Sequence, residues 1–355
     1  MPKRVGYLYD KMCDRDFIRQ GILEGARGKR KRRDVVPVLN DLDGTVEKVY
    51  NMLVTHSYVP TKPKTKIIFD KTCGKEREIQ IVPFYPDGIM HWLCVKAMRG
   101  VLMRGMYRWS CASIPGRGNK CASEYVKRSF RTDERRTRYC LKTDIRKYYP
   151  SISRARLMRM LSRKIKDKLF LKTVHDIISS SAGSGLAIGF YLCQWLANFY
   201  LEAVDRMIAG SRGVFAYVRN MDDMVILSSS KRALRKMKRA VDRMLASDLG
   251  LRLKGNWQIF PVEARGVDFV GYRFRHRYTL MRRKNFLRFA RKCREAFKRF
   301  KTGRTVSPHM ASGLLSQAGQ LKHCSGASIR EKYYSKIGSA RLKAIVRAAS
   351  RRAAA

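Results

Sequence analysis

Two adjacent carboxylates, Asp222 and Asp223, lie between the β-type runs Tyr217-Val-Arg219 and Met224-Val-Ile-Leu227. These runs leave no room for a long loop, so the pair falls at the bend of a tight hairpin, at one end of two strands. With 18 Asp in 355 residues, about one Asp-Asp pair is expected by chance, and the dipeptide alone carries nothing. Its setting does. Like charges forced together at a strand end are costly unless cations neutralise them.

Charge balance sharpens the point. The chain has 77 Lys and Arg against 28 Asp and Glu, a net charge of +49. A folded chain of this size exposes roughly 15,000 Å², about one unpaired positive charge per 300 Å². Such a surface repels itself unless polyanions are near, and nucleic acid is the natural counter-ion. In so acid-poor a chain, two carboxylates side by side suggest a metal site. The 45% hydrophobic content, with 17 Tyr and 15 Phe, supplies a packed core and excludes a disordered basic tail. Nine Cys without a C-x-x-C, and six dispersed His, exclude a secreted disulfide framework and a zinc site and suggest a reducing cytoplasm. The N-terminus MPKRVGYLYD has no apolar signal core. The apolar stretch Leu186–Val204 carries Gln194, Asn198 and Glu202, so it reads as a buried helix and no membrane is expected.

The chain divides into three parts. Residues 1–60 read as a basic N-terminal extension of short segments. Six of the seven residues Arg27–Arg33 (Arg27, Lys29, Arg30, Lys31, Arg32, Arg33) are basic, a phosphate-contacting arm or a solvated charge run. Residues 61–275 alternate strands and helices. Lys66–Phe69 and Glu78–Val82 predict a hairpin with basic residues near its tip. Gly88–Met103, Arg154–Ser179, Ile188–Ile208 and Lys231–Leu249 read as helices, and Tyr139–Thr143 and Asp268–Phe274 as strands. Pro115, Gly116 and Gly118 force a loop. Residues 276–355 read as a basic helical unit with the stripe Phe286, Phe289, Cys293, Phe297 and Phe300.

A third carboxylate, Asp144, ends the strand Tyr139-Cys-Leu-Lys-Thr. Two strand-end acid sites could hold two Mg²⁺, which prefer hard oxygen ligands and share their sphere with phosphates. Spacing alone leaves open two unrelated surface turns.

Five segments resemble reverse transcriptases, in the family's order and across roughly residues 60–275. Tyr139-Cys-Leu-Lys-Thr-Asp144 resembles the first catalytic motif. Gly185-Leu-Ala-Ile-Gly-Phe-Tyr-Leu-Cys-Gln-Trp-Leu-Ala-Asn198 resembles the nucleotide-pocket motif. Arg219-Asn-Met-Asp-Asp-Met-Val-Ile226 resembles Y-x-D-D. Val267-Asp-Phe-Val-Gly-Tyr272 resembles the primer grip, carried here by Phe269, Gly271 and Tyr272. Ser113–Gly118 is similar to the loop before the palm in bacterial enzymes.

The resemblance implies an α+β, right-hand polymerase fold of fingers, palm and thumb. Fingers and palm would span residues 61–275, with an antiparallel palm sheet, and residues 276–355 would form a helical thumb. It implies that Asp144, Asp222 and Asp223 hold two Mg²⁺, with the Ile145 carbonyl helping. Tyr149 falls at the aromatic steric gate that selects dNTPs, or packs under the metal site. Arg77 or Lys75 is the candidate triphosphate grip, against a solvated hairpin tip. Lys254 falls where a lysine nears the leaving pyrophosphate, and an exposed strand-end lysine fits equally. Asn220 replaces the Tyr of Y-x-D-D. Cys193 and Ala187 stand where Ser and Pro are common, which predicts a looser pocket entrance.

Ile188-Gly189-x-x-x-Cys193-Gln194 resembles the pocket of diversity-generating retroelement enzymes, which begin it with an aliphatic residue instead of Gln. That family links the residue to misincorporation opposite template adenine, because Ile cannot hydrogen-bond and brace the incoming nucleotide. About 80 residues follow the palm, too few for an added RNase H, integrase or endonuclease unit. The resemblance implies a structured template-repeat RNA, a cDNA or primer strand, dNTPs and a small basic pentameric accessory protein as partners. The alternative is a defence-associated bacterial reverse transcriptase making cDNA from a non-coding RNA.

Overall fold

Alternation along the central strand decides the architecture. The computed structural model describes residues 4–70 and 74–352, apart from the side chains of Asp70, Lys75 and Arg352. Strands β1 (Lys64–Asp70) and β2 (Lys75–Ile81) form an antiparallel hairpin of their own. A four-stranded antiparallel sheet follows, in the order β4 (Ala216–Asn220), β5 (Asp223–Ser228), β3 (Tyr139–Asp144), β6 (Gln258–Pro261). Side chains alternate across it. Leu141, Met224 and Ile226 enter the largest core, whereas Cys140, Val225 and Leu227 enter a second core on the opposite face. Two steps beyond Cys140 on that second face come Lys142 and then Asp144.

The second core is closed by the helix Asn119–Thr132, through Ala122, Val126 and Phe130, and by a three-stranded sheet of β7 (Val267–Phe269), β8 (Tyr272–Phe274) and β9 (Thr279–Met281). β9 lies beyond residue 276, so the boundary predicted there cuts through a sheet. The helices Arg283–Lys301, Pro308–Leu321 and Ser339–Arg352 surround a third core that includes Phe289, Cys293 and Leu314. Of the predicted stripe, Phe289 and Cys293 are buried, Phe286 and Phe300 pack partly, and Phe297 is 43% exposed. With three cores around open clefts, the accessible surface is 20,023 Å², larger than the sequence estimate. The excess charge is therefore spread at one per roughly 400 Å².

Residues 1–60 are not a separate extension. Their helices Leu8–Met12, Arg15–Ala26 and Leu42–Val54 bury Met12, Ile18, Ile22 and Leu53 in the largest core, with the helix Ile89–Gly105. Asp167 ties this part to the rest. One carboxylate oxygen caps the helix Lys168–Ser179 through Phe170 N (3.0 Å), and the other accepts from Leu8 N and Tyr9 N at 2.8 Å. Two helices predicted as continuous are broken. Arg154–Ser162 and Lys168–Ser179 are separated where Ile165 bridges Val5, and Tyr191–Tyr200 gives way to Glu202–Ala209. Glu202 opens the latter paired with Lys164 at 2.7 Å. No described helix is long and apolar enough to cross a membrane.

The core contains a pH-sensitive element. His91, 3% exposed, packs its ring 4.7 Å from that of Phe190. Burial pulls its pKa down to about 4, although Asp87 opposes the shift. The unfolded imidazole, with its ordinary pKa near 6.5, binds the proton first. Stability contributed by neutral His91 is thus complete above about pH 6.5 and is lost as pH falls toward 4. The expected cost is about 2–3 kcal/mol near pH 4.5. Urea denaturation at pH 7 and 4.5 checks it: the His91→Leu variant should lose that much less stability across the interval.

Candidate catalytic centre and nucleic-acid cleft

The hairpin bend is as tight as the sequence requires. Asn220 pairs with Asp223, leaving Met221 and Asp222 as the turn, with Met221 at φ 59°. The register of the neighbouring pair sets Asp144 directly opposite Asp223. Directly opposed residues share a face, so both carboxylates belong to the face that carries Lys142. Asp222 meets Asp144 from the turn. Burial first, then the Asp144 charge, push Asp222 up to about 7. Asp222 and Asp144 thus lie close enough for each charge to act on the other.

The carboxylates are not, however, gathered into one cluster. Among the described residues, no three His, Cys, Asp or Glu groups form a metal-binding set. Two lysines take up the charge. Lys142 forms an ion pair with Asp223, and Lys254 Nζ lies 2.5 Å from Asp144 Oδ2. Backbone pairing places Lys254: its N–H donates to the Asp144 carbonyl at 2.8 Å, and Ile145 bridges Leu253. Burial pulls the Lys142 amine down to about 8. The Ile145 side chain is wholly buried, so only its backbone could serve a ligand. Asp144 Oδ1 is buried with no hydrogen-bond partner. Hard carboxylate oxygens with one such orphan suit a hard divalent cation.

Beneath the turn lies a group that sequence reasoning missed. Arg219 and Asp205 are both fully buried and paired at 2.6 Å. Arg219 Nε also donates to Asp205 Oδ1 (2.7 Å), and Nη1 donates to the Met221 carbonyl (2.8 Å) and to Asn198 Oδ1 (3.3 Å). Tyr217 OH donates to the same Asp205 oxygen at 2.6 Å. Burial lowers the Arg219 pKa, but Asp205 more than offsets this and holds it raised. A lone Arg in an otherwise apolar strand was the available signal.

The pocket segment packs on the β1–β2 hairpin. Gln80 N donates to the Ile188 carbonyl at 2.8 Å. Gly189 has φ 118°, and a Cβ there would stand 2.2 Å from the Gln80 carbonyl oxygen, so only glycine fits. Tyr149 is half-buried, with its hydroxyl 3.6 Å from Met221 Sδ. Gln194 is likewise half-buried. Cys193 and Ala187 are buried in the core rather than lining a pocket entrance.

A cleft of about 930 Å³ runs from the Asp222–Asp223 hairpin to the C-terminal helices. Arg77, Asn220, Asp223, Gly271, Tyr272 and Arg288 are among its lining residues. Arg77 thus shares a cleft with Asp223, while the Lys75 side chain falls outside the described residues. Asn220 Nδ2 donates to Asn119 Oδ1 at 2.9 Å, linking the turn to the helix Asn119–Thr132. Val270 and Gly271 turn at φ 41° and 91°, and Tyr272 OH donates to the Gln320 carbonyl (3.1 Å). Phe269 is fully buried, with Lys142 Nζ 5.0 Å from its ring centroid. It packs into the second core instead of facing the cleft. The run Arg27–Arg33 stands apart from the cleft lining. Five of its six basic residues are exposed, Lys29 is half-buried with a pKa lowered by burial, and Arg32 pairs with Asp34.

No protein-family model matches the chain, and no curated protein does. Among solved structures, the chain is similar to telomerases of two Candida species. Apo telomerase of Candida tropicalis is 14% identical with a TM-score of 0.46, over 61% of this chain and 48% of that one. The Candida albicans enzyme, in complex with a fragment of telomeric RNA, is 14% identical with a TM-score of 0.48, over 61% and 45%. Candida tropicalis telomerase with such a fragment is 13% identical with a TM-score of 0.45, over 81% and 58%. The chain thus spans about half the length of these telomerases.

Proposed function

We propose that the chain is an RNA-directed DNA polymerase. The observation that carries this reading is the register of Asp144 against Asp223, beside Asp222, at the edge of a basic cleft. In this reading the hairpin β1–β2 belongs to the fingers, the four-stranded sheet is the palm, and the C-terminal helices are the thumb. Asp144, Asp222, Asp223 and the Ile145 carbonyl would hold two Mg²⁺. When bound, such ions neutralise charge on the attacking and leaving oxygens. Lys142 and Lys254 hold the carboxylates in place until then. Arg77 grips the triphosphate from the hairpin. The Tyr149 ring excludes a ribose 2′-OH, and Gly271 and Tyr272 position the primer end. Structured RNA covers the basic outer surfaces, including Arg27–Arg33.

The test is incorporation of dNTPs, against NTPs, on a primed RNA template with Mg²⁺. Absence of incorporation into a competent hybrid would refute the reading. We further propose the diversity-generating type, with adenine-mutagenised cDNA as product and a small basic pentameric accessory protein as partner. Ile188 supports this, since an aliphatic side chain offers no hydrogen bond to brace an incoming nucleotide. Sequenced cDNA from the Ile188→Gln variant should carry several-fold fewer errors at template adenine. An unchanged error spectrum would remove the reason for that assignment.

A further inference from the structure

A second cavity, about 430 Å³, lies between the residue 107–118 loop and the helix Asn119–Thr132, and the chemistry above makes no use of it. An aromatic pair lines it. The Trp109 and Tyr125 rings stack with centroids 4.0 Å apart and planes 20° apart. Two guanidiniums flank the stack. Arg108 Cζ is 5.2 Å from the Trp109 centroid, and Arg128 Cζ is 5.0 Å from Trp109 and 5.6 Å from Tyr125. Both arginines are exposed, and neither pairs with a carboxylate among the described residues. Glu124, the acid on the wall, lies 3.9 Å from Lys120. Arg117 is committed to the loop, donating to the Tyr107 and Ser110 carbonyls at 2.8 and 3.2 Å.

A half-buried aromatic stack between two uncompensated guanidiniums matches an unpaired nucleotide. A base can stack on a ring, while the guanidiniums take the flanking phosphates. Inside a duplex the bases stack on one another and would leave the rings unused. The platform is joined to the catalytic hairpin by its backbone: Trp109 O accepts from Arg219 N (3.0 Å), and Cys111 N donates to Arg219 O (2.8 Å). Lys127 and Arg131, on the helix that carries Tyr125 and Arg128, line the catalytic cleft. The platform therefore lies one helix away from the cleft.

We propose that Trp109, Tyr125, Arg108 and Arg128 bind an unpaired stretch of template RNA outside the duplex held in the cleft. This rests on the polymerase reading, because the strand left unpaired beyond a growing hybrid is the template. The test uses the full chain and fluorescence anisotropy with labelled oligo-uridine, oligo-thymidine and a blunt RNA–DNA hybrid. The double variant Arg108→Gln, Arg128→Gln alters only exposed side chains. It should bind oligo-uridine about tenfold more weakly, with a salt slope shallower by about 1.4 for two lost phosphate contacts. Trp109→Leu should cost about tenfold through lost stacking, with the slope unchanged. Hybrid affinity and the melting temperature of the double variant should not change. Unchanged oligo-uridine binding by the double variant, an equal loss on the hybrid, or a loss confined to oligo-thymidine would overturn the proposal. If the wild-type chain extends no primer while oligo-uridine binding still falls, the polymerase reading fails and the platform stands as an RNA site.

Discussion

Replacing Asp205 with alanine is expected to cost the fold about 3–5 kcal/mol, because it strands the Arg219 guanidinium in the core without its counter-charge. Both side chains are fully buried, so water cannot replace the lost carboxylate. Domains of ordinary stability have only about 5–15 kcal/mol in total. The loss should appear as a lower denaturation midpoint with an unchanged slope. The double variant Asp205→Leu, Arg219→Leu should recover part of it, since removing both charges also removes their desolvation cost. A single-variant loss below about 1 kcal/mol would mean that water reaches the pair. The pair also holds the Met221–Asp222 turn, the proposed catalytic turn, through the 2.8 Å bond from Arg219 to the Met221 carbonyl. Arg219→Lys keeps a positive charge but cannot reproduce the forked contacts. It should therefore lower kcat for dNTP incorporation while the primer–template affinity holds.

The second large effect is chemical. Asp222→Asn and Asp223→Asn together should lower incorporation on an RNA template by at least about 10³-fold, equivalent to about 4 kcal/mol of barrier. Thermal melting separates this from unfolding. Asp222 lies in contact with Asp144, and removing one of two crowded like charges relieves repulsion. Asp222→Asn alone should thus melt no lower than the wild type at neutral pH, whereas Asp223→Asn also takes the counter-charge from the half-buried Lys142. Activity that survives the substitutions would end the catalytic assignment. Activity lost with a collapsed melting curve would instead make the carboxylates structural.

Several parts of this molecule were legible in the chain because they depend on local period and turn chemistry. The runs flanking Asp222 and Asp223 are short, β-type and nearly contiguous, so a two-residue turn was forced. Leu234, Met237 and Val241 fall at helical spacing and are buried on the helix Lys231–Met244. Other parts were misread because their partners are remote. The N-terminal helices look like a basic appendage until Asp167, distant in sequence, binds Leu8 N and Tyr9 N. Phe269 sits in a grip-like motif, yet its neighbours bury it.

By itself, the sequence determined that three acids stand at strand ends in a chain with a net charge of +49, a surface suited to a polyanion. Hydrophobic alternation further placed the acids at strand ends, since a period of two is a local property. Only the tertiary structure decided how the charges pair. Lys142 takes Asp223, Lys254 takes Asp144, and Arg219 takes Asp205. With 77 basic residues and 28 acidic ones, most cations have no acid to meet, and composition cannot name the few that do. That choice is made by cross-strand register and burial, which bring groups far apart in the chain within hydrogen-bonding distance, where low polarity makes the pairing strong.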